Sequence, residues 1–171
     1  LPPEYLHKVV HSTGVVEAVE RAAQQAYLKR ATRNSGDKDR TRLMSIPKLE
    51  DAEKAGTGKH SQDCTLILTE GDSAKTFAVA GLEVVGRELF GVFPLRGKVL
   101  NVRDARLTKV RGNTELQHVC AILGLDFDKT YPDGPDASLR YGKVLLMTDQ
   151  DHDGSHIKGL FINFIHHFWP N

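Results

Sequence analysis

LLMTDQDHDGSH, residues 145–156, is the stretch on which the reading of this chain turns. Asp149, Asp151 and Asp153 stand at alternate positions directly after an apolar run. Carboxylates packed this densely repel one another unless a cation sits among them. Mg²⁺ and Ca²⁺ are the hard, oxygen-seeking ions that fill that role. The preceding Val144-Leu145-Leu146-Met147 has the length and composition of a buried strand. The carboxylates are therefore expected at the C-terminal end of a strand, where open α/β sheets place their active sites.

A calcium loop fits only half of the pattern. Asp149, Asp151, Asp153 and Gly154 occupy its first, third, fifth and sixth positions, but the twelfth is Leu160 rather than Glu. Such a loop also needs a helix before it, not a strand. The plainer alternative is a solvated acidic turn that binds nothing, and a second segment argues against it. TLILTEGDSA, residues 65–74, repeats the architecture: an apolar, partly β-branched run ends on Glu70. Gly71 allows a tight turn. Asp72 and Ser73 are N-cap candidates, and the following AKTFAVA reads as a short helix, Ser73 to Ala80, closed by Gly81. Glu70 shares a rim with the aspartates if the two strands are neighbours.

Three motifs in this order, EGDSA at 70–74, PLRGKVLNV at 94–102 and DQDHDGSHI at 149–157, resemble the signature of the TOPRIM domain of type IIA DNA topoisomerases. IPKLEDA at 46–52, Gln150, Phe93 and the ending NFIHHFWP at 163–170 are more similar to the eukaryotic members of that family. The resemblance runs from about Ile46 to the end and is weaker over the first 45 residues. It implies an α/β fold, a Rossmann-like, mostly parallel sheet flanked by helices over residues 46–171. Residues 1–45 would be a helical and linker extension from a preceding transducer region.

Bulk properties agree with a globular domain. The chain has 171 residues, 40% hydrophobic and 26% charged, with a formal net charge of +1. That length suffices for one good core. A net charge so close to zero does not announce a nucleic-acid binder, so a DNA surface must come from segregated charge. Cys64 and Cys120 form no CxxC pair and read as reduced, buried thiols of an intracellular protein. No apolar run reaches the roughly 18 residues a membrane span needs, so no membrane partner is expected, and no signal peptide is visible. The chain begins at Leu1-Pro2-Pro3 without Met, which reads as a piece of a longer protein.

Along the chain, residues 14–28 show helical spacing in Val15, Val19, Ala22, Ala23, Ala26 and Tyr27. Residues 29–42 are basic and polar and read as a solvated linker. A strand is expected at 65–69, a second at 91–95, a helix at 115–123 ended by Gly124, a loop at 131–138, a strand at 141–147 and a helix at 157–167. Alternating strands and helices imply a mostly parallel sheet covered on both sides.

The resemblance assigns roles. Glu70 and Asp149 hold a catalytic Mg²⁺, for which Mn²⁺ or Ca²⁺ can substitute. Asp149 and Asp151 hold a second ion, with Asp153 as a further ligand. Arg96 and Lys98 add the complementary positive charge to the catalytic set, and Lys98 and Asn101 contact DNA near the cut. Two-metal phosphoryl chemistry needs carboxylates that hold cations about 3.5–4 Å apart. His156 either meets a phosphate or caps and packs; the adjacent His166 and His167 read as structural. The cleaving nucleophile of the family is a tyrosine on a separate winged-helix domain. Arg140-Tyr141 imitates the pair around it but opens the strand of the acidic motif, so Tyr141 reads as structural, and Tyr5, Tyr27 and Tyr131 lack supporting context. The implied parent is a homodimeric, ATP-hydrolysing type II topoisomerase acting on double-stranded DNA in the nucleus, or in a DNA-containing organelle such as the mitochondrion. ATP would bind elsewhere in that parent. Two alternatives compete: a stand-alone TOPRIM nuclease or primase-type enzyme, and a regulatory α/β module with an acidic Mg²⁺ pocket.

Overall fold

The computed structural model describes residues 43, 45–131 and 138–170. The expected helix at 14–28, the basic linker at 29–42, Tyr5, Tyr27 and most of the 131–138 loop lie outside the described residues.

Three parallel strands form the centre. They are β1 (Thr65–Glu70), β2 (Phe90–Leu95) and β3 (Lys143–Met147), in the spatial order β2-β1-β3. Glu70 lies opposite Leu95, and Thr69 opposite Met147. All three C-terminal ends therefore reach one rim. The helices are α1 (Gly71–Val85), α2 (Leu107–Arg111), α3 (Thr114–Leu123) and α4 (His152–Phe168). Parallel strands need such crossovers, and the helices supply the cover that a parallel sheet requires.

Alternation along β1 divides the core. Leu66 and Leu68 face a large cluster with Phe93, Leu95, Leu116, Ile122, Ile157 and Phe164. Ile67 faces the other way and packs with Val92, Ala78 and Leu82 under α1. Period-two alternation in one strand thus feeds both faces. The aromatic end of α4 closes the larger cluster, with Phe127 set edge-on to Phe164 and Phe168.

Several boundaries differ from those expected. The helix after Glu70 starts at Gly71 itself, with Glu70 in the N-cap position and no side chain capping it. It runs through Gly81 to Val85 and ends at Gly86, whose φ of 88° only glycine adopts freely. Leu82 explains the extension: it is buried one turn beyond Ala78, so the apolar stripe continues past Gly81. The expected buried strand at 144–147 is a strand on the sheet's edge, with Val144 and Leu145 38% and 47% exposed. Tyr141 precedes it rather than belonging to it. The helix after the acidic motif starts at His152 instead of 157, so the motif forms its first turn. The short helix α2 had no clear sequence signal. Among the described residues, no helix is long and apolar enough to cross a membrane.

Candidate metal centre

The rim gathers the three motifs because each follows a strand end. EGDSA continues β1, PLRGK leaves β2 and DQDHDGSH leaves β3. Glu70 and the acidic motif meet directly: the Asp149 amide lies 3.4 Å from Glu70 Oε2, a long contact across neighbouring strand ends. Asp151 is the N-cap of α4, and its Oδ1 accepts the Gly154 amide at 2.7 Å. That bond satisfies one donor at the helix start and leaves Oδ2 available. Asp149 is exposed, and among the described residues no hydrogen bond or ion pair engages its carboxylate.

Asp153 has a different partner. Its Oδ1 lies 2.9 Å from Lys98 Nζ. The hydrogen bond and charge of that ammonium hold the Asp153 carboxyl below the usual carboxylate range. The pair ties the PLRGK turn to the head of α4. Lys98 is thereby on the rim, facing the acidic motif. Arg96 is exposed, and its amide donates to Glu115 Oε1 at 2.5 Å, which fixes the turn to α3. Asn101 is exposed, and its Oδ1 accepts the Arg103 amide at 3.1 Å. His156 is exposed on the first turns of α4, while His166 and His167 lie exposed near the far end.

The carboxylates do not form a closed cage. Among the described residues, no group of three or more His, Cys, Asp or Glu is gathered closely enough to hold a metal ion. What the fold brings together is Glu70 with Asp149, and Asp151 on the next turn. The donor chemistry fits a hard cation nonetheless: every candidate ligand is an oxygen, and Asp149 lacks a competing partner. Mg²⁺ commonly uses one or two carboxylates and keeps several waters, so a part-open pair suits it better than a full protein cage.

Gly154 sets the position of Asp149. A Cβ there would come within 2.1 Å of the Asp149 carbonyl oxygen and 2.9 Å of Thr148 Oγ1. Only a residue without a side chain lets α4 start this close to the strand end. The acidic motif's glycine therefore serves packing, not a left-handed turn.

Two features went unread in the sequence. Lys48 Nζ lies 2.5 Å from Asp72 Oδ2, which places a second lysine beside the EGDSA turn; its φ of 66° is unusual for a residue with a side chain. Asp51, from IPKLEDA, is held by Arg140 and accepts the Tyr141 hydroxyl at 2.6 Å. The Ala52 amide donates to the same hydroxyl at 2.9 Å. The motif before β1 thus clamps the start of the acidic strand. A carboxylate within an otherwise ordinary loop gives no hint of a partner about ninety positions later.

Comparison with known proteins bears on all of this. The family model described as the Toprim domain matches residues 65–170. DNA topoisomerase 2-beta of Gallus gallus is 50% identical over 170 residues, covering 98% of this chain and 10% of that protein. A DNA topoisomerase 2 of Caenorhabditis elegans is 52% identical over 169 residues, covering 98% of this chain and 11% of that protein. The chain thus spans about a tenth of the length of the curated relatives it matches. A crystal structure of the Plasmodium falciparum topoisomerase II DNA-binding, cleavage and re-ligation domain is similar at a TM-score of 0.70 and 60% identity. That likeness covers 74% of this chain and 17% of the other. Glu70, PLRGK and the acidic motif all fall inside the matched span, and the chain belongs to the Toprim domain family.

Proposed function

We propose that this chain is the metal-binding part of the DNA cleavage and religation centre of a type II topoisomerase. The observation that carries the reading is the meeting of Glu70 and Asp149 at adjacent parallel strand ends, with Lys98 paired to Asp153 of the same acidic motif. The similarity to DNA topoisomerase 2 proteins and to the Plasmodium falciparum cleavage domain supports it.

Glu70, Asp149 and Asp151 would hold Mg²⁺, with Mn²⁺ or Ca²⁺ able to take its place and Asp153 as a further ligand. When bound, a divalent cation stabilises charge on a phosphate under attack and on its leaving oxygen. The chain's own residues do the rest. Lys98 and Arg96 supply positive charge for the phosphate, and Lys98 and Asn101 hold the DNA backbone. Asp153 keeps Lys98 extended over the rim until a phosphate competes for it. Gly154 keeps the Asp149 backbone against α4.

Among the described residues, neither tyrosine is placed to attack. Tyr141 is 3% exposed and bonded to Asp51, and burial pushes its phenol well above the ordinary value near 10. Tyr131 is also buried, and its hydroxyl accepts the Asp126 amide at 3.2 Å. The attacking tyrosine would sit on a winged-helix domain, in a homodimeric nuclear enzyme that hydrolyses ATP at a separate site.

The test is complementation. Supercoiled plasmid, Mn²⁺ and the chain alone should give no breaks. Adding the tyrosine-bearing domain of a type II topoisomerase in trans should give protein-linked ends, lost in Glu70→Gln and Asp149→Asn. Nicks with free ends from the chain alone would instead support a water-using Toprim nuclease.

A further inference from the structure

Among the described residues, positive charge is concentrated in one segment. Residues 96–111 hold six cations, Arg96, Lys98, Arg103, Arg106, Lys109 and Arg111, against one carboxylate, Asp104, in a chain of net charge only +1. All six are exposed. Val99, Val102 and Val110 are buried and pin the segment to the core, so the cations are displayed by a fixed backbone. The Asn101 side chain fixes the Arg103 amide, and the Ala105 amide donates to the Val102 carbonyl at 3.2 Å.

The six divide by partner. Lys98 is paired with Asp153, and Arg111 is paired with Asp128 and lies 5.7 Å from the centre of the Phe127 ring. Arg96, Arg103, Arg106 and Lys109 have no ion-pair partner among the described residues, and the last three follow one another between positions 103 and 109. Arg106 is the N-cap residue of α2 and Lys109 lies three positions on, a spacing that makes neighbours on a helix surface. Three unpaired cations between positions 103 and 109, with Asp104 as the one carboxylate beside them, repel one another, a cost that a bound polyanion removes.

We infer that Arg103, Arg106 and Lys109 form a track for the DNA phosphate backbone, continuing outward from Lys98 and Asn101. The inference deepens the proposed function and rests on it for the identity of the partner. The segment that carries the track leaves β2 at Leu95, opposite Glu70, and passes through Lys98 and Asn101 before it reaches Arg103. Guanidinium forks suit phosphate oxygens, and no base-reading arrangement is needed. Contacts of this kind are sequence-independent and released by salt.

The test measures affinity of the 171-residue chain for a duplex of about 30 base pairs across a salt series. The variants are the triple R103A/R106A/K109A, the charge-keeping triple R103K/R106K/K109R, and Lys98→Ala, with circular dichroism to confirm folding. Each phosphate contact contributes about 0.9 to the slope of log affinity against log salt, so the alanine triple should lower it by about 2.7. It should also bind more weakly at 50 mM salt, and the charge-keeping triple should behave as the parent does. If the alanine triple binds like the parent while Lys98→Ala is impaired, the track is wrong and the proposed function stands. If neither Lys98→Ala nor the triple changes binding, the DNA reading of the rim fails and the track fails with it. Loss of polyglutamate binding in the triple, with DNA binding intact, would assign the strip to an acidic protein instead and overturn the inference.

Discussion

At the scale of single residues, Tyr141 and Asp51 show how a functional-looking residue can be structural. An arginine–tyrosine pair invites a nucleophilic role, but the phenol is enclosed by Asp51 and the Ala52 amide. Gly91 lies against it, where an added Cβ would come within 2.2 Å of the hydroxyl. Burial raises the Tyr141 pKa in the folded state above its unfolded value. Stability from this group is therefore full below about pH 10 and lost as pH rises beyond it. Absorbance of phenolate near 295 nm should show one tyrosine that ionises only with unfolding, and Tyr141→Phe should remove that step. An early, reversible titration of all four tyrosines would contradict the burial. Asp51→Ala leaves Arg140 and the phenol without their shared acceptor. It should cost about 3 kcal/mol in urea unfolding, in the range for breaking a mostly buried ion pair. Glu88→Ala, which removes an exposed partner of Lys54, should change stability little. The sequence could argue Tyr141 structural from its place before the acidic strand. It could not reveal Asp51 as the partner, because a contact across ninety positions leaves no local pattern.

Among the elements, helices α1 and α4 carry the informative differences. The acidic motif reads as a loop because three aspartates are poor helix formers. It is nonetheless the start of α4, since Asp151 caps the first turn and Asp153 faces the positive end of the helix. In α1, Gly81 has the look of a stop signal, but Leu82 keeps the stripe buried and Gly86 makes the turn. Two glycine substitutions separate these roles. A Cβ at Gly81 meets nothing within 4 Å, so Gly81→Ala should stabilise the fold by about 0.5–1 kcal/mol, read from the denaturant midpoint. At Gly154 the same change drives a methyl into the Asp149 carbonyl. Gly154→Ala should therefore weaken Mn²⁺ binding even where the variant still folds, as judged by circular dichroism. Equal metal affinity in a folded Gly154→Ala would mean that the backbone position of Asp149 does not matter. The three strands were legible along the chain because apolar runs ending on carboxylates or Pro-Leu-Arg are local signals, whereas the central place of β1 was not. The exposure of β3 was not, because an edge strand and a central strand share the same composition.

For the whole molecule, the topology explains the chemistry the motifs suggest. Three parallel strands end on one rim, and a parallel sheet is what puts residues from positions 70, 96–101 and 149–153 side by side. The fold class and the meeting of the motifs on one rim were readable because each motif sits directly at a strand end. The state of the site was not: Lys98 on Asp153 and Asp151 in a helix cap are tertiary arrangements that sequence spacing does not encode. Removal of one rim carboxylate should relieve repulsion in the metal-free protein, so Asp149→Asn should melt no lower than the parent without metal. It should gain less on adding Mn²⁺, because ligand-linked stabilisation scales with affinity for the folded state.

Glu70 and Asp149 are proposed to hold a divalent cation jointly at the rim. Calorimetric titration of Mn²⁺ into the parent chain, Glu70→Gln and Asp149→Asn decides it. Saturable binding in the parent that is weakened at least about tenfold in each variant, a loss of about 1.4 kcal/mol, is the predicted result. Binding of equal strength in all three would contradict it and leave the two strand ends without a shared metal.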